Sequence, residues 1–79
     1  MENDEYAAFV RRIIRAHARR VATGDIEALT DLVGLSALLD QVITDAVTGL
    51  RAHGYSWTEI ADRLGITRQA AHQRWGGDR

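Results

Sequence analysis

Four polar side chains near the carboxyl terminus are the residues in this chain best suited to chemistry with another molecule. An arginine guanidinium forms two parallel hydrogen bonds to O6 and N7 of guanine, and a glutamine amide does the same to N6 and N7 of adenine. Histidine donates to, or accepts from, a base or a phosphate. The four side chains belong to the segment TRQAAHQRW and are Arg68, Gln69, His72 and Gln73. Their spacing predicts one face of a helix, which we expect to match base edges in a DNA major groove.

The stretch SWTEIADRLGITRQAAHQRW, which contains these residues, predicts two short helices joined by a tight turn. Ser56 and Glu59 have the spacing of a capping box, so the first helix is expected to begin at Trp57. Gly65 is suited to end it, because glycine adopts the left-handed conformation at low cost, and Thr67 is suited to cap the second helix. The residues expected to face inward are Trp57, Ile60, Ala61, Leu64, Ile66, Ala71 and Trp75.

The segment IADRLGITRQAAHQRW resembles the helix-turn-helix of bacterial DNA-binding proteins. It has an alanine four residues before the turn glycine, an apolar residue just after the glycine and a small residue six after it. GITRQAAHQRW is most similar to region 4 of sigma factors and to related homeodomain-like bacterial regulators, and the resemblance spans residues 56–76. It implies structural roles for Ile60, Ala61, Leu64, Gly65, Ile66 and Ala71. It implies DNA-reading roles for Thr67, Arg68, Gln69, His72 and Gln73.

One position departs from the family pattern. The family usually has an apolar residue three positions after Ala71, where this chain has Arg74 followed by Trp75. Either Trp75 takes over the packing or the second helix is rotated a little. The two alternatives differ by about one residue in the register of the exposed face, since neighbouring helix positions point about 100° apart.

Hydroxyl and guanidinium groups around the predicted reading residues are suited to backbone phosphates. The hydroxyl of Thr67, the free N–H groups beside it and the helix dipole all favour an anion. The expected phosphate contacts are Ser56, Arg63, Thr67 and Arg74, with Arg79 as a further candidate. The alternative interpretation is a solvated polar surface on an ordinary helical hairpin. That interpretation leaves the turn glycine, both caps and the two alanines as coincidences.

Three apolar stripes with the three- and four-residue spacing of amphipathic helices precede this segment. Gly24 is suited to end the first helix and Asp25 to cap the second. Gly34 and Ser36 repeat that signal, although the pattern leaves open whether the second and third helices are separate. Gly49 interrupts the third stripe and indicates either a close neighbouring helix or a bend. The stripes, expected to face inward, are Tyr6, Phe9, Val10, Ile13, Ile14, His17 and Val21; Ile26, Leu29, Leu32 and Val33; and Leu38, Leu39, Val42, Ile43, Ala46, Val47 and Leu50.

These patterns predict an all-α protein, a small bundle of four to five helices that ends in a helix-turn-helix. We expect residues 1–79 to form a single domain, since a chain of this length has one small core. Residues 1–53 would supply the N-terminal helices, the core and a candidate dimer contact, and residues 54–76 the helix-turn-helix. The chain has no proline, and its pattern contains no alternation typical of strands.

The composition argues against several functional classes. Without cysteine the chain has no disulfide and no thiolate-ligated metal site. His17, His53 and His72 lack the spacing of metal ligands, and no nucleophile motif or phosphate-binding glycine loop is present. We therefore expect no enzyme activity, cofactor or metal. We expect that no apolar run approaches the ~20 residues of a membrane span, and the start MENDEY is acidic; both favour a cytoplasmic, nucleoid-associated protein without a membrane partner.

Charges are segregated along the chain. The five arginines of residues 11–20 have no acid among them, whereas residues 25–48 contain five acids and no base. The arginine-rich face is open to three interpretations: a second nucleic-acid contact, a membrane-surface face, or a solvated face that pairs with the acidic segment.

The combined expectation is a sequence-specific double-stranded-DNA-binding protein, most simply a small transcriptional regulator that inserts residues 67–75 into the major groove. The apolar surplus of the first helix also suggests a homodimer through the N-terminal helices, which would double the base contacts. Two alternatives stay open. One is a protein-interaction module, such as an antitoxin or sigma-like adaptor, and the other is a nucleoid or recombination accessory factor.

Overall fold

The computed structural model describes residues 2–77, and in that range it contains four α-helices and no strand. The helices are α1 (Asn3–Ala22), α2 (Ala28–Ala52), α3 (Trp57–Leu64) and α4 (Arg68–Trp75). This confirms the predicted all-α class. Arg79, a candidate phosphate contact, lies outside the described residues.

Helix α1 has favourable charges at both ends. Glu2 and Glu5 form a capping box at its start, and Arg19 and Arg20 lie in its last turn, where positive charge is favourable beside the helix dipole. The helix ends before Gly24, whose φ of +117° belongs to the region that favours glycine. The end of the helix before Gly24 agrees with the sequence prediction.

Helix α2 is a single continuous helix. The Oδ1 atom of Asp25 accepts a hydrogen bond of 3.2 Å from the N–H of Ala28, so Asp25 caps the turn that leads into it. The stop expected at Gly34 and the cap expected at Ser36 are wrong, because both lie in the helix interior. A Cβ atom placed on Gly49 would meet no heavy atom within 4 Å, so no described helix passes close to it.

Most of the apolar residues expected to face inward are exposed. A helix buries its apolar stripe only where another element covers it, and the described residues leave these stripes largely uncovered. In α2 only Val47 is buried and Ile43 half-buried among the residues of the third stripe. The exposed apolar residues of the three stripes are Tyr6, Phe9, Val10, Ile13, Ile14, Ile26, Leu29, Val33, Leu38, Leu39, Val42, Ala46 and Leu50.

The chain divides into two compact units, one up to Leu38 and one from Leu39 onward. The division falls inside α2. In the first unit, α1 and the beginning of α2 contain no buried residue among residues 2–38. The core of the second unit consists of Val47, Ile60, Ala61 and Ala71.

Helix α2 is long and apolar enough, by length and composition, to cross a membrane, with a mean hydropathy of 1.2 in its most apolar window. One such helix is weak evidence for a membrane span, because core helices of soluble proteins are often as long and as apolar. Asp31, Asp40 and Asp45 are spread along it, and a charged residue near the centre of a bilayer is costly.

Replacing Gly49 with alanine is expected to raise the free energy of unfolding by about 0.5–1 kcal/mol, since alanine restricts the unfolded chain and its Cβ meets no obstacle here. Gly34→Ala is expected to raise the free energy of unfolding for the same reason. Gly65→Ala is the control: at φ +70° the added Cβ is strained and should cost about 1 kcal/mol. Urea unfolding followed by circular dichroism measures the free energy of unfolding of all three variants. A destabilised Gly49→Ala variant would contradict the uninterrupted, unobstructed helix.

Candidate functional site

Helix α3 starts with a complete capping box. The Oγ atom of Ser56 accepts a hydrogen bond of 3.0 Å from the N–H of Glu59, and the Oε1 atom of Glu59 accepts one of 2.9 Å from the N–H of Ser56. Two N–H groups at the start of the helix are thereby satisfied. The predicted start at Trp57 is confirmed.

Gly65 reverses the chain between α3 and α4. Its φ of +70° and ψ of 29° place it in the left-handed region, where its N–H and that of Ile66 turn back to the carbonyl groups of the last turn of α3. The Ile66 N–H donates to the Ala61 carbonyl over 3.1 Å. This arrangement satisfies carbonyls that the helix end leaves free and brings the chain around within three residues.

Two small residues allow α3 and α4 to pack closely. Ala61 is 1% exposed and Ala71 is fully buried, so the helices approach without large side chains at this point. Ile60 is buried beside them, as expected. Leu64 was expected to face inward but is 54% exposed, because the described residues leave this side of α3 uncovered.

The turn residue Ile66 is likewise only partly covered. It was expected to plug the turn, yet it is 37% exposed. Trp57 and Trp75, expected to face inward, are half-buried.

Helix α4 begins at its predicted cap, since the Oγ1 atom of Thr67 accepts a hydrogen bond of 3.0 Å from the N–H of Ala70. The four predicted reading residues are exposed and line one open depression of about 580 Å³ on this helix. We call this surface the outer face of α4, and its residues are Arg68, Gln69, His72 and Gln73. No acidic residue lies in α4, so its formal charge is positive.

Trp57 connects the outer face to the other helices of the second unit. Its ring meets that of His72 edge to face, with the centroids 5.4 Å apart. The guanidinium of Arg51 lies over Trp57, 5.0 Å from the ring centroid, and Arg51 Nη1 donates to the carbonyl of Tyr55 over 2.9 Å. Such aromatic and cation–π contacts restrict the orientation of the His72 ring.

Arg51 was missed as a member of this site. The only signal in the sequence is its distance of four residues from Tyr55, which does not indicate a stacking partner on the next helix. Only the packing of α2 against α3 brings the guanidinium over the indole of Trp57.

The four predicted phosphate contacts lie in different surroundings. The side-chain oxygens of Ser56 and Thr67 both accept cap hydrogen bonds, and each hydroxyl keeps its proton for donation. Arg63 lies beside an apolar groove between α2 and α3, lined by Val47, Leu50, Tyr55 and Leu64 among others, rather than among the residues that line the outer face.

Arg74 also lies apart from the outer face. Its guanidinium is 5.0 Å from the centroid of the Trp75 ring, and together with Asp40 and Thr44 of α2 it lines a separate depression. Trp75 is half-buried and Ala71 is fully buried, while Arg68, Gln69, His72 and Gln73 line the outer face together.

Comparison with protein-family models, with curated proteins and with solved structures finds no match to the chain. Within residues 2–77 no group of three or more histidine, aspartate or glutamate side chains is placed to hold a metal ion. The function of the site therefore has to be argued from its own geometry and charge.

Acid is expected to weaken the start of α3. Hydrogen bonds from the backbone N–H and the hydroxyl of Ser56 hold the pKa of Glu59 below its ordinary value, with a smaller contribution from the charge of Arg63. A lowered pKa stabilises the folded state above the unfolded value of about 4.3, and this stabilisation is lost as the pH falls through the folded value.

Melting temperatures of the wild type and Glu59→Gln, compared from about pH 6 down to about pH 3, measure this contribution. The advantage of the wild type should shrink on the acidic side. Asp62→Asn removes a carboxylate of the same helix away from the cap and should not reproduce the effect. A difference between wild type and Glu59→Gln that is constant across this range would contradict the role given to the Glu59 carboxylate.

Proposed function

We propose that the protein binds double-stranded DNA in a sequence-specific manner and acts as a small transcriptional regulator. The observation that carries the proposal is the outer face of α4, where Arg68, Gln69, His72 and Gln73 share one exposed surface while Ala71 is fully buried in the core. A helix held in this way can enter a major groove as a rigid body.

Each residue of the outer face has a role that follows from its functional groups. Arg68 is suited to guanine and Gln69 to adenine, because both side chains form paired hydrogen bonds to those bases. His72, restrained by Trp57, offers a single donor or acceptor at a defined position. Gln73 extends the surface toward the middle of α4.

The starts of α3 and α4 would position the protein on the DNA backbone. The hydroxyls of Ser56 and Thr67, together with the free N–H groups of the first turn of α4, are suited to phosphate oxygens. Arg63 and Arg74 lie beside other depressions, so they would contact phosphates outside the path followed by the outer face. Regulation would then come from occlusion or recruitment at a promoter, in a cytoplasmic protein associated with the nucleoid.

The rival function is a protein-interaction module, such as an antitoxin or a sigma-like adaptor, in which α3 and α4 serve as a scaffold. The exposed apolar residues of α1 favour it, because large apolar surfaces mark interaction sites. An accessory role in nucleoid organisation or recombination would use the same DNA contacts as a regulator. A long, defined binding motif favours the regulator over such a factor.

Selection of bound duplexes from a random library at near-physiological salt tests the proposal. The wild type should enrich a defined motif, and Arg68→Ala should lose about 1–3 kcal/mol of binding free energy at one base position per recognition helix. Because base contacts specify and phosphate contacts do not, the preference should fade at that position alone.

Arg74→Ala is the matched control, since it removes an arginine from the same helix on another side. It should leave the preferred sequence unchanged. Absence of any enriched motif, or an Arg68→Ala variant with unaltered preference, would contradict the proposal and support the interaction module.

A further inference from the structure

The first unit of the chain has a large apolar surface without a core. On α1 this surface is one face, which we call the α1 apolar face and which consists of Tyr6, Phe9, Val10, Ile13 and Ile14. All five side chains are exposed, Tyr6 to 60% and Ile13 to 56%, and no residue of 2–38 is buried. In proteins most of the stability of a helix comes from tertiary packing of its apolar side, so α1 depends on burial of this face.

The beginning of α2 adds to the same imbalance. Ile26, Leu29, Val33 and Leu38 are exposed in the same compact unit, with Ile26 at 74% and Val33 at 64%. Solitary exposed apolar residues need no explanation, but a set of this size within fewer than forty residues is typical of an interface.

Charge distribution favours a second copy as the occupant. The arginines at positions 11, 12, 15, 19 and 20 all lie on α1, whereas Asp25, Glu27 and Asp31 follow in the loop and in the first turn of α2. In a twofold dimer, contact between the basic part of one copy and the acidic part of the other occurs twice. The chain therefore contains both halves of a complementary pair.

A depression in the first unit places acidic and apolar groups side by side. It has a volume of about 520 Å³ and is lined by Ile13, Ala16, His17, Arg20, Asp25, Ala28 and Asp31. The Nδ1 atom of His17 is shielded from solvent there and has no hydrogen-bond partner among the described residues.

We propose that the first unit forms a homodimer interface. The α1 apolar face of one copy packs against the first unit of the other, and Arg20, which lines the same depression as Ile13, meets Asp25 and Asp31 of the second copy. The interface does not depend on the DNA-binding proposal. If both hold, the two α4 helices are related by a twofold axis and face half-sites on one DNA duplex.

Sedimentation equilibrium of the wild-type chain, without DNA and at micromolar concentration, is the decisive measurement. We expect twice the mass of 8.8 kDa and a melting temperature that rises with protein concentration, as mass action requires. A monomer at all concentrations, or a mass above that of a dimer, would overturn the proposal. A monomer that also cosediments with anionic lipid vesicles would assign the face to a membrane instead.

Two pairs of variants locate the interface. Ile13→Glu places a charge in the α1 apolar face and should raise the dimer dissociation constant by at least about 100-fold, since burial of an unpaired charge is costly. The control Ala8→Glu introduces the same side chain on the arginine side of α1, where it lies four residues before Arg12 and favours the helix. Equal dimerisation of wild type and Ile13→Glu would overturn this assignment even if dimers form.

The second pair tests the charges. Asp31→Arg should weaken the dimer about 10-fold, with a smaller effect at high salt, because the exposed pair is screened. Asp45→Arg makes the same change on α2 within the second unit and should leave dimerisation unchanged. Identical effects of the two substitutions would overturn the proposed contact between Arg20 of one copy and Asp31 of the other. None of these measurements contains DNA, so they fail or succeed independently of the duplex selection.

Discussion

The close packing of α3 against α4 is the constraint on which the candidate site depends. Ala61 and Ala71 are buried where the two helices meet, and Gly65 turns the chain sharply enough for them to do so. A larger side chain at either alanine would separate the helices, since cores at this density do not absorb extra volume. The orientation of α4, and with it the direction of every residue on its outer face, follows from this contact.

The same packing explains why the polar residues in and near α4 do not all lie on one surface. Burial of Ala71 places Arg68 and Gln69 on the outer face, whereas Arg74 lies over the Trp75 ring and lines a separate depression. The Trp57 ring adds a second restraint, because it holds His72 on one side and Arg51 on the other. Preorganisation of this kind lowers the entropy lost when a side chain engages a partner.

The first unit presents the opposite condition. Its secondary structure is well specified, with caps at the start of α1 and before α2, yet no side chain among residues 2–38 is buried. Local hydrogen bonds define where a helix begins and ends, but burial of apolar surface supplies most of its stability. The helices of the first unit are well formed, but their apolar side chains are not buried. This is the physical reason to expect a second copy on this surface.

Local signals in the sequence determined the helix ends, because caps and turn glycines act through hydrogen bonds between residues three to five apart. The starts at Trp57 and Arg68 and the turn at Gly65 agree with the structure for that reason. Periodicity also placed Arg68, Gln69, His72 and Gln73 on one face of α4. The local signals at Gly34 and Ser36 indicated a helix break that α2 does not contain. Tertiary structure decided that Leu64 stays exposed and that Arg51 stacks on Trp57. An apolar stripe identifies a face to be buried, and only contact with another element determines whether it is covered.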